Sequence, residues 1–408
     1  MASPSRPVRR RRKATESQQR SLLALSDDVL EEIFLRVGSP GDLARASTAC
    51  VAFRRLIAGP GFLRRYRSLH PPLLLGFLDP GPGGGFQPAE APHPNAPAAR
   101  ALARAAGFSF DYIPRGRGRR WHPRDVRDGR VLLYCSPDVQ ESIVFPDLAV
   151  CDPVSRRYLL VPRITDELLA SVQVQKQHVQ FFEAFLVPSG VEQKEEASFR
   201  VLGRACCMTK MVALVFSSGS SHWDVGTSES WDDLSLNARP FAEGLMLRWP
   251  SYAYGCFYWK VHLRNKLLKL DMSRMKFSII DLPPGNADAN VVIVETGEGR
   301  LGMIGNLNHV RGDTHVYYAS KNEGDSNNEW RMAKTIPLPE HYNCCLVGAP
   351  EGYIFLLGVP KDKGTLGPAC FSLGIKTLEI ERVSQMGLNY RHVYPYFGFP
   401  PSMLPRMI

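Results

Sequence analysis

From residue 130 onward the chain repeats one local pattern: a strand-like run, a polar turn, then a second strand-like run that often closes on proline. The five copies are LAVCDPVSRRYLLVP, VALVFSSGSSHWDV, LLKLDMSRMKFSIIDLP, VYYASKNEGDSNNEWRMAKTIPLP and ACFSLGIKTLEIERV. Their turns fall near residues 153, 219, 272, 323 and 374, an interval of about 50 to 65 residues. Further strand-like runs lie between the hairpins, among them GCFYWKVH, VVIVET, RLGMIG and GYIFLLGV. A repeat of that length with several strands per unit fits a β-propeller, in which each blade is a small antiparallel sheet packed on its neighbours. About 320 residues at this interval predict about six blades. Stacked β-sandwiches are the alternative, but they give no reason for one hairpin to return at a near-constant interval.

The amino-terminal part has a different period. In LSDDVLEEIFLRVG, Leu30, Ile33, Phe34 and Val37 recur at helical spacing, and Asp27, Asp28, Glu31, Glu32 and Arg36 fall on the polar side. Ser26 is placed to cap this helix, with Leu25 and Leu30 as a hydrophobic staple. Gly38 ends it, and Ser39, Pro40 and Asp42 open a second helix carrying Leu43, Ala46, Ser47 and Cys50. A third, VAFRRLI, stops at Gly59-Pro60, and PGFLRRYRSL forms one more before Pro71-Pro72. The expected organisation is a basic, disordered tail over 1–21, an all-α module over 22–70 and an all-β domain over 71–408, with a Pro/Gly-rich loop at 79–97. About 45 residues bury little core alone, so the module's leftover apolar face calls for a neighbour.

Leu25, the pair Ile33-Phe34, Leu43, the pair Ala49-Cys50 followed by Val51, then Phe53 and the pair Leu56-Ile57 together resemble the F-box, a helical module that docks on the Skp-family adaptor of cullin-type ubiquitin ligases. The segments DPVSRRYLLVPRI, MVALVFSSG, GCFYWKV, LRNKLLKLDMSRMKFSIIDLPPG and PYFGFPPS resemble the plant F-box proteins, expanded in grasses, that carry a kelch-like propeller as associated domain. The resemblance implies a non-catalytic substrate-recognition subunit, bound to a cullin through the adaptor and holding a target protein on the propeller. It implies adaptor contacts at Leu25, Leu30, Ile33, Phe34, Val37, Leu43, Leu56 and Ile57. The rival reading is a propeller that binds a glycan or nucleic acid directly, with the helices as a structural cap.

Charge bears on that rival. The net charge is +10, yet residues 1–13 carry six Lys/Arg and no acid, and residues 115–130 carry seven Arg against Asp125 and Asp128. These segments sum to +11, leaving the rest near −1 and giving no broad basic face for nucleic acid. The arginine-rich RGRGRRWHPRDVRDG is expected to be an exposed loop between the strands FSFDYIP and GRVLLYC. The block Arg9 to Lys13 reads either as a nuclear-import signal or as a solvated tail.

Catalytic patterns are missing from the sequence. GEGRLG at 297–302 follows a strand but precedes no helix, so a glycine turn is expected rather than a dinucleotide site. His178, His222, His262, His309, His315 and His341 are scattered, and no G-x-S-x-G or C-x-x-C occurs. No catalytic residue, metal site or cofactor is therefore expected. Nine cysteines without disulfide or metal spacing, with no signal peptide and no membrane-spanning run, point to the nucleus, the cytoplasm or both and to no membrane partner. Tyr258 and Trp259 are expected in the core, and Trp231, Trp249, Tyr252 and Tyr254 on loops as the target-binding surface.

Overall fold

The structure, a computed structural model, describes residues 25–38, 40–70, 72–81, 85–115, 119–137, 144–188, 198–236, 250–297, 299–306, 315–321, 330–350, 352–362, 366–385 and 394–398. The expected tail over 1–21, Trp249 and His309 lie outside them. The chain forms two compact units, divided between Pro72 and Leu73.

The first unit holds α1 (Asp27–Leu35), α2 (Pro40–Ser47), α3 (Val51–Ile57) and α4 (Pro60–Leu69). Ser26 caps α1, its Oγ accepting the Val29 N–H at 3.5 Å, and Asp27 and Asp28 sit in the first turn, where the helix dipole favours acids. The core gathers Leu30, Phe34, Leu35, Leu43, Ile57, Phe62 and Tyr66. α4 does more than extend the chain: Tyr66 Oη donates to the Val37 carbonyl at 2.8 Å, and Arg65 bridges Glu31 and Glu32 at 2.7 and 2.5 Å. The aromatic pair Phe62 and Tyr66 thus covers apolar surface that three helices alone would leave bare.

The second unit is a propeller. Its chain begins with β1 (Leu74–Leu78), β2 (Phe86–Pro88) and α5 (Ala96–Ala105). Five four-stranded antiparallel sheets of consecutive strands follow. The first holds β3 (Arg119–Arg127), β4 (Arg130–Pro137), β5 (Asp147–Asp152) and β6 (Arg157–Val161), after which comes the short α6 (Asp166–Ser171). The second holds β7 (Val179–Val187), β8 (Arg200–Cys207), β9 (Lys210–Ser217) and β10 (His222–Ser230). The third holds β11 (Ser251–Ala253), β12 (Cys256–Lys260), β13 (Lys266–Asp271) and β14 (Lys276–Asp281). The fourth holds β15 (Asn290–Glu295), β16 (Leu301–Asn306), β17 (His315–Lys321) and β18 (Arg331–Pro337). The fifth holds β19 (Tyr342–Gly348), β20 (Tyr353–Pro360), β21 (Ala369–Gly374) and β22 (Ile380–Gln385). A last strand, β23 (Tyr394–Phe397), returns to pair with β1, giving a three-stranded sheet in the order β2-β1-β23.

Alternation along the strands explains the ring. Successive side chains point to opposite faces. Ala184 and Leu186 of β7 therefore join the core shared with β4–β6, while Phe185 and Val187 join the core shared with β12–β14. Likewise Val291 and Ile293 of β15 pack towards β11–β13, and Val292 and Val294 towards β19–β21. Both faces are buried, which is why these strands read as near-continuous apolar runs. One further cluster, with Phe77, Leu133, Phe355, Cys370 and Tyr396, joins the fifth and first blades through the three-stranded sheet.

Each repeated hairpin joins the third and fourth strands of a blade. In four of them a non-glycine residue just before or near the fourth strand has positive φ: Arg156 (56°), Ser221 (58°), Met275 (48°) and Leu378 (57°). Asx turns shape two of these, with Asp152 Oδ1 accepting the Val154 N–H at 2.8 Å and Asp271 Oδ1 the Ser273 N–H at 2.9 Å.

Several expectations are corrected. The five repeated hairpins belong to five blades of four strands, and the sheet of the chain ends adds three strands with no such hairpin. FSFDYIP is a run of turns that buries Phe108, Phe110 and Ile113. The arginine-rich stretch is strand from Arg119 to Arg127, hydrogen-bonded to β4. By contrast, Gly297 and Gly299 lie in a turn as expected, with φ of 86° and 72°, closed by the Thr296 N–H on Arg300 O at 3.1 Å.

Two measurements test this packing. Tyr396 is fully buried, edge-on to Phe86 and Phe108, and its hydroxyl makes no hydrogen bond to the described residues. Tyr396→Ala should cost about 3–5 kcal/mol in urea unfolding, whereas Tyr396→Phe should cost nothing. Buried His93 accepts the Asn95 N–H on Nδ1 at 3.2 Å, and burial holds its pKa below the ordinary value of 6.5. The unfolded chain then binds the proton more readily, so stability should fall as pH drops below about 6.5. His93→Asn should flatten that part of a stability-against-pH curve.

Candidate functional site

The first strand of each blade lies innermost: β3 packs against β7 and β23, and β15 against β11 and β19. Where β3 and β7 end, a cavity of about 60 Å³ opens, lined by Arg124, Asp125, Arg127, Phe185, Pro250, residues 347–350, Tyr394 and Pro395. It therefore draws on the first, second and fifth blades and on the closing strand.

Local sequence places the charges there. The pairing of β3 with β4 shifts between Pro123 and Asp125, so Arg124 is the extra residue of a bulge. Such a bulge turns side chains away from strict alternation, and the adjacent Arg124 and Asp125 both line the cavity. Asp125 fastens β3 to β7: its Oδ1 accepts the Val126 N–H and its Oδ2 the Leu186 N–H, each at 2.9 Å. Burial pushes its carboxyl pKa up, and Arg127 together with those amides pulls it back. Glu183 of β7 lies between two guanidiniums, its Oε1 accepting from Arg124 and its Oε2 from Arg204. Arg204 is 1% exposed, 5.0 Å over the Trp259 ring and 5.9 Å over that of Phe185.

Of the four expected target-binding aromatics, the three described ones, Trp231, Tyr252 and Tyr254, separate. Trp231 is core rather than surface: it is 4% exposed and its Nε1 donates to the Cys207 carbonyl at 2.9 Å. Its apolar ring fills the space between the second and third blades, which a reading of SESWDD as loop does not reveal. Tyr252 belongs to β11, half-buried and edge-on to Phe257 at 4.9 Å. Burial raises its phenol pKa, and the charges of Arg200 and Arg127 oppose that rise. Tyr254, with φ of 46°, gives its N–H to Glu295 at 2.7 Å and accepts the Gly297 N–H at 3.1 Å, tying the third blade to the fourth.

The helical unit's eight expected contacts also separate. Leu30, Phe34, Leu43 and Ile57 are 4–6% exposed and form the unit's own core, and Val37 and Leu56 are half-buried against it. Leu25 and Ile33 are exposed, at 36% and 38%. Two residues outside the expected set join them, Val29 at 45% and Val51 at 83%. The signal was in the sequence: Val29 and Ile33 are four apart and share a face of α1. Arg55 lies 3.7 Å from Asp27, bringing α3, one turn after Val51, to the start of α1.

A larger cavity of about 150 Å³ lies at the outer junction of the first two blades, with Phe145, Phe182 and Trp223 in its wall. Its arginines are satisfied, since Arg119 and Arg163 each donate to Asp147 at 2.7 Å. The smaller cavity is the stronger site because the buried Nε of Arg127 in its wall has no hydrogen-bond partner among the described residues. Among the described residues no three His, Cys, Asp or Glu side chains gather as metal ligands. Burial pushes the thiols of Cys151 and Cys207 up to about 12 and that of Cys344 to about 11, so all three stay protonated at neutral pH.

No family model matches the chain, and no curated protein matches it. Among solved structures the chain is similar to TolB from Acinetobacter baumannii, at 8% identity over 67% of this chain and 56% of that one, with a TM-score of 0.36. It is similar to an oligogalacturonate lyase in complex with manganese at 10% identity, over 64% and 63% of the two chains, TM-score 0.35. It is also similar to a chain of a nidogen/laminin complex at 9% identity, over 68% and 85%, TM-score 0.35. The chain covers less than two thirds of the lyase and of TolB.

The Glu183 pair is open to direct test. Glu183→Gln leaves Arg204 buried without its carboxylate, and urea denaturation should show a loss of about 3–5 kcal/mol. A loss below about 1 kcal/mol would mean that solvent reaches this pair and screens it.

Proposed function

We propose that this chain is a substrate receptor of a cullin-type ubiquitin ligase. It docks on a Skp-family adaptor through its helical unit and holds a target protein on its propeller. The observation that carries the reading is the apolar group Leu25, Val29, Ile33 and Val51, exposed on a unit whose other large apolar side chains, Leu69 apart, fill or pack against a core of its own. Contiguous exposed apolar surface on a small helical unit marks a partner site. The F-box resemblance names the partner. The receptor acts by proximity, bringing a bound target near the ubiquitin-charged enzyme, and performs no chemistry itself.

In this reading the three-stranded sheet is the sixth blade of the ring, with β23 as its inner strand. Its support is the core that this sheet shares with β3–β4 and with β20–β22. Nucleic acid is disfavoured as the propeller's ligand. Arg119, Arg124 and Arg127, expected on an exposed loop, each lie within reach of a carboxylate on a strand.

The burial pattern selects the test. Phe34 is 6% exposed, so Phe34→Asp would damage the helical core whatever its role in docking, whereas Ile33 offers its side chain to solvent. Ile33→Asp should keep the helices folded by circular dichroism and weaken capture of a plant Skp-family adaptor by at least about tenfold, the equivalent of one large side chain's burial. Equal capture by the variant would refute docking on this face.

A further inference from the structure

We infer that the cavity at the ends of β3 and β7 is an oxyanion site whose ligand, a carboxylate or phosphate group, is held by Arg127. The inference gives the propeller a ligand chemistry. It rests on the cavity alone and stands whether or not the helical unit binds an adaptor.

The argument is a charge balance in a buried place. Three guanidiniums gather at this end of the ring: Arg124 and Arg127 line the cavity, and Arg204 meets Arg124 across Glu183. Two carboxylates face them, Asp125 and Glu183, so these five groups carry a formal +1. Both acids are already engaged. Glu183 uses one oxygen on Arg124 and the other on Arg204, and Asp125 accepts a backbone N–H on each of its oxygens.

Of the arginines that line the cavity, Arg127 is the one with a buried nitrogen still open. Its side chain is 12% exposed, its Nε stands 3.7 Å from Asp125 Oδ1, too far for a hydrogen bond, and that buried Nε has no hydrogen-bond partner among the described residues. A guanidinium in this state is costly unless something completes its fork. The planar fork matches two oxygens of a carboxylate or phosphate. Around it the cavity wall is apolar, with Phe185, Pro250, Val347, Ala349 and Pro395. Such walls exclude water and strengthen the attraction between opposite charges. A volume of about 60 Å³ admits one such group rather than a folded ligand.

The test is calorimetric titration of the full chain with inorganic phosphate and, separately, with acetate, in chloride buffer at constant ionic strength. At least one anion should bind with one-to-one stoichiometry, and which one does so names the source of the oxygens. Arg127→Met should weaken that binding at least tenfold. Arg163→Met, which removes an equal charge from the outer cavity, should leave it unchanged. A melting curve keeps the result open to refutation if Arg127→Met folds poorly: the binding anion should raise the wild-type Tm in proportion to the logarithm of its concentration. Absence of binding by both anions, or equal weakening by the two variants, overturns the inference.

Discussion

The ring depends on one pairing between residues more than three hundred positions apart, β1 with β23. Gly76 faces Tyr396 across it and Leu78 faces Tyr394. Every other sheet in the propeller is made of consecutive strands, each able to form from its own stretch of chain. The closing sheet has no such freedom, since it needs both ends of the domain at once. Phe77 and Phe397 meet Phe355 of the fifth blade, while Trp121 and Val126 of the first blade enter the same core. Open the pairing, and the faces of two blades lose cover together. A contact of such high sequence separation carries a loop-closure cost that local hairpins avoid.

Closure is also what gathers the charges. Arg124 and Arg127 come from β3, Glu183 from β7, Arg204 from β8 and Tyr394 from β23, and only a closed ring holds all of them around one cavity. In water these groups would be ordinary surface ions. Enclosed by Phe185, Trp259 and the prolines, they interact through a medium of lower effective dielectric, so an imbalance between arginines and carboxylates has real consequence. The bulge at Arg124 is part of the same design, because strict alternation would send Arg124 and Asp125 to opposite faces.

The hairpin interval made the propeller legible, because a fixed strand–turn–strand unit must pack against copies of itself. The blade count was less legible. Dividing length by interval treats every sheet alike, while the closing sheet borrows its strands from the two ends and has no copy of the hairpin. RRWHPRDVR misled for a related reason. Its charge density reads as solvent exposure, yet Asp147 and Glu183, distant in sequence, pair with Arg119 and Arg124 in the fold. Trp231 misled in the same way: polar neighbours in SESWDD suggest a loop, and nothing local says that the ring turns into the space between two blades. Burial by partners remote in sequence leaves no mark on the residues nearby.

The helical unit shows how a motif and a surface differ. Apolar residues at helical spacing mark a stripe, but a stripe is divided between the unit's own core and anything that docks on it. Here α4 claims the larger share through Phe62 and Tyr66, and Leu30, Phe34, Leu43 and Ile57 turn inward with them. The side chains left outside are few. Completing the burial of Leu25, Val29, Ile33 and Val51 would each yield at most about 1.5–3 kcal/mol, against an association cost of about 4–15 kcal/mol. Four such residues make docking marginal on hydrophobic burial alone. A partner that binds firmly must also complement the charges beside them, Asp27 and Asp28 at the dipole-positive end of α1 and Arg55 next to Asp27. Recognition of this face is therefore set jointly by its apolar centre and its charged rim, and the centre is smaller than the stripe in the sequence implies.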